Sequence, residues 1–280
     1  MGGRPRRAMR RLLLYAAMVA AAAFFVAPVF WMVSISLQPE NEVFSKAPHW
    51  LPREPTLRNY RDLFARAEEA PVARWFANSV IVAGGGTLTY LLIASMAAYA
   101  FSRLRFPGRE PLFVLVLATL IIPGQVTIIP VFLVLQRLGW FNTYLALIVP
   151  GLSGAFGVFL LRQFFLTIPR DLEEAAMLDG CGPAGIYARI ILPLAKPALA
   201  TLAIFSFLGG WNDFLLPLIA TNEVEMRTLP VGLTLFLGRY DMQYGMVMAV
   251  ATVASLPVVL IFLAFQRHIV RGVVLSGIKG

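Results

Sequence analysis

The sequence predicts an all-α protein that crosses a membrane six times. Apolar residues make up 59% of the 280 residues and charged residues only 14%, which is too apolar a balance for a soluble domain of this length. Long windows without a charged residue recur along the chain, and a transmembrane helix needs roughly 20 mostly apolar residues. Since lipid offers backbone groups no hydrogen-bonding partner, such runs indicate helices rather than barrel strands, whose side chains alternate in polarity.

Five of the six predicted spans lie in windows free of charge, and the remaining one, the fifth in chain order, contains only Asp213. Residues 1–11 are predicted to form a cytoplasmic N-terminal segment, and residues 12–280 a single transmembrane domain. We place the spans at about residues 12–37, 75–102, 111–136, 141–162, 197–221 and 243–266.

Basic residues predict the orientation of these spans. They cluster before the first span, between the second and third, and after the sixth: Arg4, Arg6, Arg7, Arg10, Arg11, Arg103, Arg105, Arg109, Arg267, Arg271 and Lys279. Short loops rich in lysine and arginine stay on the cytoplasmic side, so both termini are predicted to be cytoplasmic. This distribution accounts for the net charge of +9, and nucleic acid is not an expected partner.

The start of the chain also has features of a secretory signal, with basic residues followed by LLLYAAMVAAAAFF. The apolar run continues through VAPVFWMVSISL and is longer than a signal core, so retention as the first helix is favoured. The following segment, 38–71, carries several prolines, and within it LRNYRDLF predicts a short amphipathic helix. Trp50 and Tyr60 are either anchors at the membrane interface or ordinary exposed aromatics.

Binding sites for nucleotide or metal are not predicted. GGGT at Gly84–Thr87 lies inside the second span, but a phosphate-binding loop needs a Gly-Lys pair, and the chain has none. Close helix packing explains these glycines better. Pro123, Pro130 and Pro150 can kink the third and fourth spans. The single Cys181 with only two histidines leaves neither an internal disulfide nor a metal cluster.

A charged, glycine-punctuated segment, 169–193, separates the fourth and fifth spans. Asp171 as N-cap and Glu174 three residues later predict a capping box, and Gly180 predicts the helix end. Pro183 predicts the start of a second short helix that ends at Pro193. The first helix has a face of apolar or small residues: Leu172, Ala175, Ala176 and Leu178. A docking surface for a partner and a linker along the membrane explain this segment equally well.

The segment also resembles a known signature. Its residues and their spacing are similar to the EAA motif of permease subunits of ABC importers. The matching residues are Glu174-Ala175-Ala176, Gly180 after three further residues, Ile190 after nine more, and Leu192-Pro193 after one more. Further stretches of the chain are similar to the carbohydrate, maltose-permease-like branch of these permeases. The C-terminal residues VVLSGIKG differ from the small, hydroxyl-rich tail that is usual in that branch. Those stretches are NSVIV, AYAFSRLRFPGR, IPGQVTIIPVF, WNDFLLPL, FQRHIVRG and the final GIKG.

The resemblance implies a type I ABC importer permease fold and a transporter subunit rather than an enzyme. The chain would form half of the pathway for a sugar or a related polyol or glycerol phosphate in the bacterial plasma (inner) membrane. It implies no cofactor in this chain, because ATP would be bound by a partner. The implied partners are a second homologous permease, two ATPase subunits, an extracytoplasmic solute-binding protein and membrane lipid.

The resemblance also implies roles for residues of segment 169–193, which we call the coupling segment. Glu174 would make a charged contact with the ATPase, the two alanines would allow close approach, and Gly180 would permit the turn. The implied coupling residues are Glu174, Ala175, Ala176, Asp179 and Gly180.

Asn212 and Asp213 are candidates for contact with the pathway or with the binding protein, because carboxylates inside a span are usually functional. A structural hydrogen bond is an equally good explanation. An ion-gradient-driven secondary transporter is the main alternative function. It predicts several acids within the spans or broken half-helices that supply ion ligands, and this chain offers Asp213 alone. A membrane scaffold that docks a cytoplasmic protein is a third hypothesis.

Overall fold

The computed structural model describes residues 3–44, 49–65, 70–239 and 243–277, and within them the side chains other than those of 3–8, 237–239 and 266–277. Within these ranges the chain is helical, without a strand. The side chains of Arg4, Arg6, Arg7, Arg267 and Arg271, used above to predict orientation, lie outside the described residues, as do Lys279 and the end of the tail.

Fifteen α-helices occur in the described ranges, in this order: α1 Gly3–Ser36, α2 Glu40–Val43, α3 Arg58–Ala65, α4 Val72–Arg103, α5 Arg109–Ala118, α6 Gly124–Leu138, α7 Tyr144–Ile148, α8 Ala155–Leu166, α9 Asp171–Leu178, α10 Pro183–Ile186, α11 Leu192–Leu194, α12 Lys196–Asn212, α13 Leu215–Ala220, α14 Leu229–Arg239 and α15 Tyr244–Gly277. Short 3₁₀ turns extend α5 and α7, and a π-helical turn, Tyr187–Ile191, joins α10 to α11.

Three helices are long and apolar enough to cross a membrane, within Met9–Ser36, Val72–Arg103 and Tyr244–Phe265. Three further pairs pass the same test together but are bent, by 100° between α5 and α6, by 48° between α7 and α8, and by 77° between α11 and α12. Counting each pair as one span gives six, the number that the sequence predicts.

The third and fourth spans are bent, as the prolines in their sequences allow, and each bend is a break in the helix. The third breaks at Pro123, because the preceding Ile122 is held in an extended conformation, as the residue before a proline usually is. The fourth changes to a 3₁₀ helix at Val149–Ser153, and the extended Gly154 separates it from α8. The fifth span, predicted to reach residue 221, ends its main helix at Asn212.

Contacts within the chain divide it into two compact units. The first comprises Met1–Val72 and Leu233–Leu256, and in it the predicted short helix is confirmed as α3. The buried Asn59 of α3 donates to the carbonyls of Ser36 and Gln38 at 2.9 and 2.8 Å. The hydroxyls of Tyr60 and Ser36 lie 2.8 Å apart, and the ring of Trp50 packs at 4.7 Å from that of Trp31.

The second unit comprises Ala73–Gly232 and Pro257–Gly280 and holds the coupling segment. Its core forms where α4, α5, α8 and α12 meet the coupling segment, and the buried members are Tyr90, Ala94, Ala98, Tyr99, Phe113, Val158, Leu161, Phe165, Ile168, Ala176, Ile186, Ile191, Ala195, Ala198 and Leu202. The short helices after α8 are therefore anchored in the same core as the spans.

The glycines of GGGT are not where helices of this unit approach most closely. A Cβ on Gly85 would lie 3.6 Å from the side chain of Ile148. A Cβ on Gly84 or on Gly86 would have no atom within 4 Å. The closer approach is between α12 and α4, where a Cβ on Gly210 would lie 3.3 Å from the Cα of Ala83. Close helix packing therefore does not explain the glycine run, because the glycine at the closer approach is Gly210 of α12.

Candidate functional site

The coupling segment folds as two helical stretches that meet at a glycine, as the sequence predicts. The first is α9, and Gly180 follows it with φ +82°, a conformation that side chains with a Cβ rarely adopt. The amide of Cys181 donates to the carbonyl of Ala176 at 2.9 Å, and the amide of Gly180 to that of Met177 at 3.0 Å. These two bonds are a Schellman motif, and they satisfy carbonyls at the end of α9.

The N-terminus of α9 differs from the prediction, because no capping box forms. Asp171 is already helical, and the residue before it, Arg170, has helical angles of φ −69° and ψ −27° with no side-chain cap. A capping box needs an extended N-cap residue whose side chain folds back on the helix. The three acidic residues of the first turn still suit the positive end of the helix dipole.

The inner face of α9 is attached to the transmembrane helices by a buried ion pair that sequence reasoning missed. The Nε of Arg103, the last residue of α4, lies 3.0 Å from the Oε1 of Glu173, and both side chains are less than 10% exposed. A second guanidinium nitrogen of Arg103 donates to the carbonyls of Phe165 and Ile168 at the end of α8. We call Arg103, Glu173 and these two carbonyls the Arg103 cluster.

The second helical stretch is attached to α4 as well. Pro183 is its first residue and follows the extended Gly182. The hydroxyl of Tyr99 donates to the carbonyl of Pro183 at 3.0 Å, and the hydroxyls of Tyr187 and Ser95 lie 2.7 Å apart. Two isoleucines of this stretch, at positions 186 and 191, are fully buried. Both halves of the coupling segment therefore pack on the same transmembrane helix.

The outer face of α9 brings most of the predicted coupling residues together. Glu174, Ala175, Asp179 and Gly180 are exposed, whereas Ala176 is only 9% exposed and packs into the core. Among the described residues, no hydrogen bond or ion pair to the carboxylate of Glu174 occurs. Large apolar side chains are exposed on α9 as well: Leu172 at 45% and Leu178 at 90%, which the sequence placed on the apolar face, and Met177 at 57%, which it did not.

Replacing Gly180 with alanine is expected to loosen the end of α9. A non-glycine residue in this left-handed region costs about 1–2 kcal/mol. The amides of residues 171–185 should then exchange their hydrogens roughly five- to thirtyfold faster, measured by mass spectrometry. Gly182→Ala is the matched control, because Gly182 has φ −77° and ψ 171° and a Cβ there meets nothing within 4 Å. Equal exchange in the two variants would contradict a conformational role for Gly180.

Asn212 and Asp213 lie together at the end of α12 but face different surroundings. Asn212 is exposed, and its amide donates to the carbonyl of Leu208 at 2.8 Å. Asp213 follows the last residue of α12 with an extended backbone, φ −65° and ψ 127°, and its side chain is half-buried. A structural role and a contact with the pathway or the binding protein both stay predictions for Asp213.

Asp213 also lines a cavity of about 280 Å³ in the second unit. Three hydroxyls share the wall, those of Thr87, Tyr90 and Ser206, and Thr87 donates to Ser206 at 3.2 Å. The rest of the wall consists of four glycines and of apolar side chains: Gly86, Gly151, Gly209, Gly210, Val82, Ala83, Leu147, Ile148, Leu152 and Leu216. The part of the chain with described side chains contains no group of three or more histidine, cysteine or acidic residues placed to hold a metal.

Comparison with known proteins connects these features. The profile of a family described as binding-protein-dependent transport system inner membrane component matches residues 90–275. The chain is 35% identical over 266 residues to an arabinooligosaccharides transport system permease protein of Halalkalibacterium halodurans, with 94% of each chain covered. It is also 35% identical over 278 residues to a trehalose/maltose transport system permease protein of Thermococcus litoralis, covering 97% and 98% of the two chains.

A third relative is a sulfoquinovosyl glycerol transport system permease protein of Agrobacterium fabrum, 35% identical over 255 residues, with 90% of this chain and 88% of the relative covered. Among solved structures, a bacterial ABC transporter involved in the import of the acidic polysaccharide alginate has a chain that superposes with a TM-score of 0.81. That likeness covers 95% of this chain and 98% of the other at 22% identity, so it concerns the fold.

Proposed function

Because the chain belongs to the family of inner membrane components of binding-protein-dependent transport systems, with a type I ABC importer permease fold, we propose that it forms half of the translocation pathway of an ATP-driven sugar importer. It is a multi-pass membrane protein and a transporter subunit, not an enzyme, and it works with a solute-binding protein. The solute is a sugar or a related polyol or glycerol phosphate. This class is supported by the names of the relatives, which include arabinooligosaccharides, trehalose/maltose and sulfoquinovosyl glycerol.

The observation that carries the proposal is the division of α9 into two faces. Its inner face is buried against the chain's own helices, through Glu173 and Ala176. Its outer face presents the 90% exposed Leu178 beside the carboxylates of Glu174 and Asp179. With Leu172 and Met177, which are also exposed, Leu178 forms a group of apolar side chains rimmed by carboxylates, and such a patch is typical of a protein interaction site. The complementary partner is an ATPase groove with an apolar floor and a basic rim.

The complete importer contains a second homologous permease, two ATPase subunits and an extracytoplasmic solute-binding protein in the bacterial plasma membrane, surrounded by lipid. The ATPase binds the ATP, and this chain needs no cofactor. Closure of the ATPase pair moves the coupling segment, and this motion changes the side of the membrane to which the pathway opens. Of the two candidates at the end of α12, Asn212 is the better contact for the pathway or the binding protein, because it is exposed whereas Asp213 is half-buried.

Purification of the tagged chain in mild detergent from its native membranes tests the proposal, with mass spectrometry of the proteins that accompany it. We expect an ATPase and a second permease in comparable amounts. Recovery of a folded, monodisperse chain without an ATPase would contradict the proposal and favour a secondary transporter.

Neutralising Glu174 is expected to weaken ATPase binding without unfolding the chain. A charge-assisted hydrogen bond contributes about 1.5–3 kcal/mol, so Glu174→Gln should lower the ATPase recovered per permease roughly ten- to hundredfold under limiting conditions. Asp171→Asn is the matched control, since Asp171 is an exposed carboxylate on the same helix outside the motif. An equal loss in both variants would point to helix stability rather than a contact of Glu174.

A further inference from the structure

We infer that Arg103 is a positioning residue for transport: the Arg103 cluster makes α9, the end of α8 and the end of α4 move as one body, so displacement of the coupling segment is transmitted directly to a transmembrane helix. The inference rests on the proposed function, because it assigns a role in coupling. Arg103 belongs neither to the EAA motif nor to the outer face of α9, so the inference assigns a coupling role to a residue that the proposed function did not include.

The geometry of the cluster joins three elements through one side chain. Arg103 ends α4, Glu173 lies in the first turn of α9, and the two carbonyl acceptors belong to Phe165, in α8, and Ile168, in the turn that follows. Its Nε lies 3.0 Å from Glu173, and the donation to Ile168 measures 2.7 Å. One guanidinium thus forms an ion pair with Glu173 and donates hydrogen bonds to two carbonyls, and all three partners are more than 60 residues away along the chain.

Burial makes this connection rigid. The side chains of Arg103 and Glu173 are 3% and 8% exposed, so water does not replace either partner when they separate. Separating them would leave two uncompensated charges in a region of low dielectric, which is far more costly than breaking an exposed pair. A displaced α9 therefore keeps its contact with Arg103 and carries the ends of α4 and α8 along.

Arg103 also donates to carbonyls at the end of α8 and in the turn that follows it. The carbonyl of Phe165 accepts from the amide of Ile168 at 3.0 Å as well, and a cation at this end of a helix interacts favourably with the helix dipole. Lysine is not equivalent here, because its single ammonium group cannot reproduce the planar fork that reaches a carboxylate and two carbonyls together. The cluster is thus specific for arginine in its geometry and not only in its charge.

Neighbouring contacts also attach the coupling segment to α4. Tyr99, one turn before Arg103 on α4, donates to Pro183, and its ring lies 5.2 Å from that of Tyr187. The second half of the coupling segment therefore follows α4 as well. In contrast, a segment attached by exposed contacts would absorb motion as a flexible linker does.

The test uses the complete complex in proteoliposomes with its binding protein and solute, and measures solute imported per ATP hydrolysed. For Arg103→Lys and Glu173→Gln we expect ATPase retention within twofold of the unmodified complex, and transport per ATP at least fivefold lower. Arg189→Lys is the matched control, because Arg189 is exposed on the same segment, and its ratio should not change. An unchanged ratio of solute imported to ATP hydrolysed in the Arg103 and Glu173 variants would overturn the inference. Failure of the unmodified complex to import solute would instead count against the proposed function.

A second measurement covers the case in which these variants do not fold. Spin labels are placed at Asp171 on α9 and Met96 on α4, both exposed, in a Cys181→Ala background that retains Arg103 and Glu173. Pulsed electron spin resonance should give the same distance distribution in the ATP-free and ATP-bound complex. A shift of that distribution would show that α9 moves independently of α4 and would overturn the inference.

Discussion

Replacing Leu178 with aspartate is expected to abolish ATPase retention while leaving the permease folded. The side chain is 90% exposed and lies outside the buried core, so its removal costs the isolated chain little. In a partner's groove, a fully buried leucine contributes about 1.5–3 kcal/mol, and a buried unpaired carboxylate adds a further penalty. The ATPase recovered per permease should therefore fall by on the order of a hundredfold or more.

Leu57→Asp is the matched control for this variant. Leu57 is 69% exposed in the segment between α2 and α3, which the predicted topology places on the opposite side of the membrane. We expect this control to retain the ATPase normally, with both variants monodisperse in detergent. Normal retention by Leu178→Asp would show that the outer face of α9 is not the docking surface.

Gly157→Ala is expected to be among the most destabilising single substitutions in the second unit. A Cβ at this position of α8 would lie 2.5 Å from the Tyr90 hydroxyl and 2.9 Å from Leu202. Tyr90 cannot move aside freely, because its hydroxyl donates to the carbonyl of Gly154 and accepts from the amide of Gly157, both at 2.8 Å.

Overpacking costs about 1–3 kcal/mol, and loss of a buried hydrogen bond adds about 1–3 kcal/mol. The roughly 1 kcal/mol that alanine gains in helix propensity does not offset this. We expect the midpoint of thermal unfolding of the purified chain to fall by roughly 5–10 °C.

The control for this substitution is Gly151→Ala. Gly151 lies in the 3₁₀ turn before α8, and a Cβ there meets no atom within 4 Å. Its unfolding midpoint should stay within about 2 °C of the unmodified protein. If Gly157→Ala unfolds no earlier than Gly151→Ala, the contact of Tyr90 with the break in the fourth span does not stabilise the fold.

Local signals in the sequence explain what could be predicted. Charge-free windows predicted the number of spans, and Gly180 and Pro183 predicted the two-part coupling segment, because each acts on its own backbone. The breaks within spans were not predictable in the same way. Pro123 stands at a bend of 100°, whereas Pro130 lies inside the helix α6, and the surrounding packing decides between these outcomes.

The orientation of side chains depends on tertiary contacts that no local pattern encodes. Glu173 and Glu174 are adjacent and chemically almost identical, yet one is buried against Arg103 and the other is exposed. The pairing partner is 70 residues away, so only the docking of α9 on α4 selects Glu173. The inward position of Ala176 has the same cause, because it lies one turn after Glu173 on the same face.

The proposed function couples solute import to ATP hydrolysis by a partner. It is tested by reconstituting the purified complex in liposomes and measuring uptake of labelled solute with the binding protein outside and ATP inside. Uptake should require both ATP and the binding protein, should persist without any ion gradient, and should be eliminated by Leu178→Asp. Uptake driven by an ion gradient in the absence of ATP and of any ATPase subunit would contradict it.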